Sequence, residues 1–477
     1  MTFASPASTD AIALIDGDRT FTYGSFERAV DSVAARLQRD GLEVGDRLAS
    51  SLPNSAELVV LFHATVRLGA MWIGLDPKLP EQNRDQLLSR LGDATRVDDP
   101  ADVTQWMHDE RPFERRPLDP DAPALIAFTS GTSGRSKGVV HSLRNILLPA
   151  RVSVVTEPAP PGERIGTPLS LSIANMMILG PLSAYVRGST AVILNKRWAD
   201  GFANDVELHG VTRTFLVSAL LEDLVAQGIP ASKLDALDRV VVGGSGARPT
   251  TLSAFEDAFG VRPTMSYGLS EAPTGVVRES FDDPIGSGRG FALPHIRVVI
   301  RGESGEALGA GEEGHICLSA APEGPFANEW TPMLGYLDDP AATRLAVVDG
   351  ELRTGDLGRL DDDGALSVTG RVSDLIIRGG ANISPAAIVE TARALDDVND
   401  VVVLGVGDDR LGERVVVFVE SVTLQTDKVD GALSAAGHTF DEIVIVETLP
   451  RNAMGKVERE VLRSSYRAGH ARTSPER

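Results

Sequence analysis

Cysteine is nearly absent and lysine is scarce. Among 477 residues there is one cysteine, Cys317, and there are six lysines (Lys78, Lys137, Lys196, Lys233, Lys428 and Lys456), so 40 of the 46 basic residues are arginine. A single thiol cannot close an intrachain disulfide or build a cysteine-rich zinc site. Basic charge is also in deficit. With 46 basic against 67 acidic residues and a net charge of −21, a general affinity for nucleic acid or an anionic membrane is excluded, and any anion site must be local. Long apolar runs are missing too. The longest candidate, residues 58–75, is interrupted by His63 and Arg67 and reads as a helix running into a strand, well short of a membrane span. The first twenty residues lack the basic start and apolar run of a secretory leader. Together these absences predict a cytoplasmic protein with neither a nucleic acid nor a membrane as partner.

What is present is a turn-rich globular composition: 42% apolar and 24% charged residues, with 47 glycines and 28 prolines. At roughly 150 residues per domain the chain has room for about three cores. The periodicity predicts helices at 26–38, 56–67, 142–150, around Val206, 220–227 and 251–259. Between them it predicts strands at 47–52, 71–75, 124–128, 190–194, 212–217 and 240–242. This alternation is that of α/β architecture with mostly parallel sheets. Beyond about residue 284 helices thin out, and short strands at 296–301, 314–318, 356–360 and 365–369 suggest a β-rich subdomain. The last hundred residues restart with strands at 375–378, 401–406, 414–419 and 443–447 and helices at 386–394 and 429–436, a small α+β domain with a polar tail after Arg467. No internal repeat appears.

The sharpest local signal runs from Phe128 through Thr129, Ser130, Gly131, Thr132, Ser133, Gly134, Arg135, Ser136 and Lys137 to Gly138, and is expected between a strand and a helix. Its small residues expose backbone N–H groups and hydroxyls, and Lys137 adds a compact charge, as a polyphosphate cradle requires. The spacing is not that of a Walker A loop; a solvated Gly/Ser linker is the bland alternative. Tyr267, expected just after a strand ending at Ser266, offers a ring face, and Gly268 permits close backbone approach. Glu271, Asp356 and Lys456 each have an ordinary surface residue as the alternative reading. The eight histidines form no metal-ligand pair or catalytic triad, so His141 reads as structural. Gly405 and Gly407 lack the third glycine of a dinucleotide fingerprint and read as a turn.

With these residues in order, the chain resembles the adenylate-forming superfamily of acyl-CoA synthetases, aryl acid ligases, luciferases and adenylation domains, over nearly its whole length. The resemblance rests on five ordered motifs: the 129–138 loop; Gly243, Gly244, Ser245 and Gly246; Tyr267, Gly268, Leu269, Ser270 and Glu271; Thr354, Gly355 and Asp356 with Gly370 and Arg371; and the segment from Pro450 to Lys456. It implies a large ATP- and acid-binding domain over 1–370, with Mg²⁺ as a cofactor, a hinge over 371–374 that includes Ser373, and a small mobile lid over 375–477. It implies that Thr129, Lys137, Glu271 and Lys456 are catalytic, with Glu271 holding Mg²⁺ and Ser270 touching the α-phosphate. Adenine would lie by Tyr267 and the ribose hydroxyls on Asp356. The remaining nucleotide contacts would come from the 130–134 loop, Gly244, Ser245, Gly246, Ser266, Gly268, Leu269 and Arg371. Lys456 would bridge the substrate carboxylate and the α-phosphate.

The implied acyl pocket contains Leu171, Ser172, Asn175, Met176, Gly243, Leu269 and Thr274, mostly small or apolar. Relatives that activate amino acids place an aspartate in this stretch to hold the ammonium, whereas no acidic residue occurs here between Arg164 and Asp200. A hydrophobic, non-amino carboxylic acid is therefore expected. CoA is the expected thiol, entering past Gly379 and Gly380, because no carrier module follows Arg477. Loading of a separate carrier protein is the alternative reading, and a non-catalytic nucleotide-binding homologue the second. The hinge position, usually Asp or Lys in the family, is Ser373 here. A homodimer is implied by the resemblance alone.

Overall fold

The computed structural model describes residues 5–109, 112–129, 136–196, 198–244, 246–408, 410–451 and 457–471. It divides into two compact units, the first comprising residues 1–299 and 317–354 and the second residues 300–316 and 355–477.

The first unit is built on two sheets. In one, Ile12–Asp16, Thr190–Ile193, Arg164–Thr167, Arg213–Leu216, Arg239–Val242 and Pro263–Leu269 lie side by side in parallel. Antiparallel strands extend both edges: Arg19–Thr22 on one side, Ala272–Arg278 and then Arg289–Ala292 on the other. Helices Ala199–His209, Ser218–Ala226 and Pro249–Phe259 cover the parallel strands, burying Phe202, Leu221, Phe255 and Val240 in one core. The other sheet runs Gly335–Tyr336, Gly138–Ser142, Pro123–Phe128, Met71–Gly74, Arg47–Ser50, Thr95–Val97, with Gly138–Ser142 antiparallel to both of its neighbours and the remaining pairs parallel.

The apolar stretch at 58–75 is a helix running into a strand, as its interrupted pattern indicates. Helix Ala56–Leu68 is capped by the Ser55 hydroxyl and ends at Gly69 in the left-handed region, φ 86°. All its residues are buried, and Met71–Gly74 follows at once. Among the described residues no helix is long and apolar enough to cross a membrane.

Strand Glu351–Leu360, most of which belongs to the second unit, pairs antiparallel with Leu366–Arg371. A further sheet joins Ala381–Ile383, Ile376–Arg378, Gly412–Glu420 and Asp400–Asp408, with Glu442–Val446 parallel to Gly412–Glu420. Its two long strands bury both faces. Val401, Val403, Val415, Val417 and Val419 meet helices Pro385–Arg393 and Thr426–Ala435, while Val402, Leu404, Val416 and Phe418 meet Leu462 and Tyr466. Those last two residues belong to helix Arg459–Ala471, for which the sequence reading gave no element and whose end overlaps the polar tail expected after Arg467. Unbroken apolar runs such as 401–404 require a cover on each side, because successive side chains alternate faces. Gly405 and Gly407 lie inside Asp400–Asp408, which corrects their reading as a turn: a Cβ at Gly405 would come within 2.6 Å of Glu413 Oε1 on the paired strand.

Candidate functional site

The 129–138 segment connects two antiparallel strands of one hairpin, Pro123–Phe128 and Gly138–Ser142, and helix Leu143–Thr156 begins only after the second, with Ser142 capping Asn145 N. The expected strand-to-helix turn is therefore corrected. The run Gly138, Val139, Val140 completes a β ladder, so the loop leads into a strand and not directly into a helix. Ser130, Gly131, Thr132, Ser133 and Gly134 lie outside the described residues, but the base of the loop is well held. Thr129 N donates to the Lys137 carbonyl (2.9 Å), Lys137 N donates to Thr129 Oγ1 (3.2 Å), and the Ser136 hydroxyl donates to the Thr129 carbonyl. Arg90 Nη1 donates to the Ser136 carbonyl (2.5 Å), and its guanidinium stacks 5.5 Å from the centre of the Phe128 ring.

The second motif also folds as a hairpin. Strand Pro263–Leu269 continues through Tyr267 instead of ending at Ser266, because Ala272–Arg278 returns antiparallel beside it. Ser270 and Glu271 are the two residues of the turn. At Gly268 the register shifts on both sides, and a Cβ at Gly275, opposite it, would fall 2.4 Å from Ser266 Oγ. The far end of the returning strand is anchored by Arg278, which bonds the half-buried Glu157, itself 2.6 Å from Arg213 Nη2. Burial alone would raise the Glu157 carboxyl, but Arg278 and Arg213 outweigh it and bring it down to about 2.

The two hairpins meet through His141. Its Nε2–H donates to the Ser270 carbonyl (2.7 Å), which sets the tautomer, and complete burial lowers its pKa to about 4. His141 is thus a neutral brace under the turn that carries Glu271.

Glu271 and Lys137 converge on a residue the sequence reading did not single out, Tyr336. The phenol donates to Glu271 Oε1 (2.9 Å), and Lys137 Nζ lies 4.5 Å from the ring centroid. Strand Gly335–Tyr336 pairs with Gly138–Ser142, Tyr336 opposite Val139, and Tyr336 N donates to Thr343 Oγ1 (2.9 Å). Burial raises the phenol's pKa, and the negative charge of Glu271 adds to the shift, so the hydroxyl remains a donor. The available sequence signal was the start of the following helix, Asp339 capping Ala342 with Pro340 in the first turn, which fixes where the short strand stops.

Among the described residues no group of three or more His, Cys, Asp or Glu is arranged around a cation position. A single carboxylate nevertheless suits Mg²⁺ that arrives on phosphate oxygens and keeps several waters. With Oε1 bonded to Tyr336, Glu271 offers Oε2.

The expected acyl-pocket residues form a loop and a short helix. Leu171 and Ser172 are buried, and the Ser172 hydroxyl bonds the Ser170 hydroxyl at 2.7 Å. Thr167 Oγ1 donates to Met176 Sδ at 3.6 Å. Helix Ala174–Met177, which carries Asn175, packs against Ala272–Arg278. Asn54, not anticipated from sequence, holds this loop: its side chain accepts from Leu171 N (2.8 Å) and donates to the Leu169 carbonyl (2.9 Å). Gly243, Gly244 and Gly246 follow strand Arg239–Val242, with Gly244 at φ 86°. Leu269 ends its strand. Ser245 and the Thr274 side chain lie outside the described residues.

In the second unit Asp356 and Arg371 face one another across the strand pair, with Arg371 Nε 3.2 Å from Asp356 Oδ1. Ser373 lies in a short turn, Val372–Asp374, and its neighbour Asp374 pairs with Arg459. Gly379 and Gly380, φ 58° and 85°, form the two-residue turn between Ile376–Arg378 and Ala381–Ile383. Lys456 lies outside the described residues.

Residues 3–105 and 90–322 match the family model described as AMP-binding enzyme. The chain is 30% identical to an indoleacetate–CoA ligase of Aromatoleum aromaticum, over 94% of this chain and 93% of the relative. It is 28% identical to a long-chain-fatty-acid–CoA ligase of Mycobacterium tuberculosis, over 94% of each. The ATP-bound crystal structure of MatB from Rhodopseudomonas palustris superposes with a TM-score of 0.84 at 25% identity, over 96% of each chain.

Proposed function

This chain belongs to the AMP-binding enzyme family, and on that premise we propose that it is an ATP-dependent acid–thiol ligase that activates a hydrophobic carboxylic acid as its adenylate and passes the acyl group to CoA. The observation that carries this reading is the convergence of Lys137 and Glu271 on Tyr336. A phosphate-binding cation and a magnesium-binding carboxylate, remote in sequence, share one support.

In the first half-reaction a carboxylate oxygen of the acid attacks the α-phosphorus of ATP and pyrophosphate leaves. Lys137 and Thr129 bind the departing phosphates, Ser270 the α-phosphate, and Lys456 neutralises charge between the carboxylate and the α-phosphate. Glu271 would hold Mg²⁺, which when bound would supply charge neutralisation at the phosphates. Tyr267 flanks adenine, with Gly244, Ser245, Gly246, Ser266, Gly268 and Leu269 among the nucleotide contacts, while Asp356 and Arg371 hold the ribose. In the second half-reaction the CoA sulfur attacks the acyl carbon and AMP leaves, with Gly379 and Gly380 on the pantetheine path. The 1–370 domain, the 371–374 hinge and the 375–477 lid are part of the same proposal.

A hydrophobic acid is supported by the buried Leu171 and by the absence of an acidic residue between Arg164 and Asp200. The names of the relatives, an indoleacetate and a long-chain-fatty-acid CoA ligase, agree with it.

The test is pyrophosphate release with MgATP across aliphatic, aryl and amino acids, each with and without CoA, with size-exclusion chromatography reporting the implied homodimer. Acid-dependent release with consumption of CoA is expected, and Lys456→Ala should abolish the release. Release without thioester formation would transfer the acceptor role to a carrier protein. Nucleotide binding without pyrophosphate from any acid would support the non-catalytic reading.

A further inference from the structure

We propose that Tyr336 is a positioning residue that keeps Glu271 and Lys137 apart and ready for MgATP. The inference rests on the functional reading above and deepens it at the same site. A carboxylate and an ammonium brought into one small site tend to pair with each other, and an incoming MgATP must then break that pair. Among the described residues Lys137 and Glu271 form no salt bridge with one another. Each instead has its own face of the same tyrosine, the hydroxyl for Glu271 Oε1 at 2.9 Å and the ring for Lys137 Nζ at 4.5 Å.

The tyrosine can hold both because its backbone is fixed to the strand that directly follows the lysine. Leu334 N donates to the Val140 carbonyl (2.8 Å), and Leu337 N donates to the Gly138 carbonyl (2.7 Å), immediately after Lys137. Gly335 permits the approach. Its φ is 147°, and a Cβ there would lie 2.9 Å from Thr343 Cγ2, on the residue whose hydroxyl accepts from Tyr336 N. Tyr336 thus transmits the register of the phosphate-loop hairpin to the turn bearing Glu271, leaving Oε2 for the cation.

Two substitutions separate the contacts. Tyr336→Phe keeps the ring under Lys137 and removes the bond to Glu271, while Tyr336→Leu removes both. Calorimetric titration with a non-hydrolysable ATP analogue, with and without Mg²⁺, reads the effect without turnover. For Tyr336→Phe the gain in affinity that Mg²⁺ confers should shrink roughly tenfold or more, the loss of one hydrogen bond to a charged group, with Mg²⁺-free binding retained. Tyr336→Leu should weaken Mg²⁺-free binding as well. In a Glu271→Gln background, Tyr336→Phe should add little, because the two act through one contact.

Melting temperatures identify a variant that fails to fold. A folded Tyr336→Phe protein with wild-type Mg²⁺ dependence would overturn the proposal, as would additive losses in the double variant. Failure of the functional reading is distinguishable, since the wild-type protein itself would then show no Mg²⁺-dependent nucleotide binding.

Discussion

Arg371 Nε lies 3.2 Å from Asp356 Oδ1, and the two residues are directly opposed across the antiparallel strands Glu351–Leu360 and Leu366–Arg371. Asp356 is 5% exposed, so its carboxylate is held in place before any ligand arrives.

Replacing Asp356 by Asn keeps the shape and removes the charge. If this carboxylate accepts the ribose hydroxyls, Asp356→Asn raises KM for ATP roughly tenfold or more, the scale of a lost hydrogen bond to a charged acceptor. The wild type should also discriminate against 2′-deoxy-ATP more strongly than the variant does. Steady-state kinetics with the two nucleotides decide it; unchanged discrimination in the variant removes Asp356 from the ribose site.

Acid sensitivity should track the buried histidines. Burial lowers both His141 and His295 to about 4 from an ordinary 6.5, so each is neutral in the folded protein. Between pH 6.5 and 4 the unfolded chain binds a proton that the folded chain refuses. The stabilisation is complete above 6.5 and is lost as pH falls toward 4, by on the order of 3 kcal/mol for a fully buried group. In His141→Gln the melting temperature should fall less steeply from pH 7 to pH 4.5. A slope identical to that of the wild type would show that His141 carries a proton in the fold.

Gly74 abuts the loop expected to bind the acyl group. A Cβ there would lie 2.3 Å from the Ser172 carbonyl oxygen and 2.3 Å from Cη2 of the fully buried Trp72. Neither neighbour is the end of a flexible chain, so Gly74→Ala should cost about 1–3 kcal/mol and lower the melting temperature by several degrees. Because the backbone at Ser172 must shift, KM for the acid should rise more than KM for ATP. Unchanged melting and unchanged acid KM together would refute both expectations.

Much of the fold was legible in the sequence. Helix Ala56–Leu68 shows its Ser cap, apolar body and terminal Gly, and the strands at 213–216 and 239–242 are short runs of mainly apolar and β-branched residues. The misread elements depended on distant partners. Gly138–Ser142 is a strand because Pro123–Phe128 and Gly335–Tyr336 flank it, and Pro263–Leu269 runs past Ser266 because Ala272–Arg278 returns beside it. Helix Arg459–Ala471 is strongly amphipathic, but its polar residues dominate by count, and its apolar stripe acquires meaning only against Phe418 and Leu404.

The sequence by itself determined the kinds of chemistry available: a lysine in a small-residue loop of a chain with few lysines, a carboxylate beside a small-residue turn, a segment from Arg164 to Asp200 with no acidic residue between them, and the order of motifs that identifies the family. These are local properties, carried by residue type and by spacing over a few positions. Only the tertiary structure decided which of these groups share a support. Tyr336, His141 and Asn54 are ordinary residues in sequence, and each becomes informative through a partner far along the chain: Glu271, Ser270 and Leu171. Sheet pairing and burial bring those partners together, and a hydrogen bond of 2.7–2.9 Å has no signature in the sequence on either side of it.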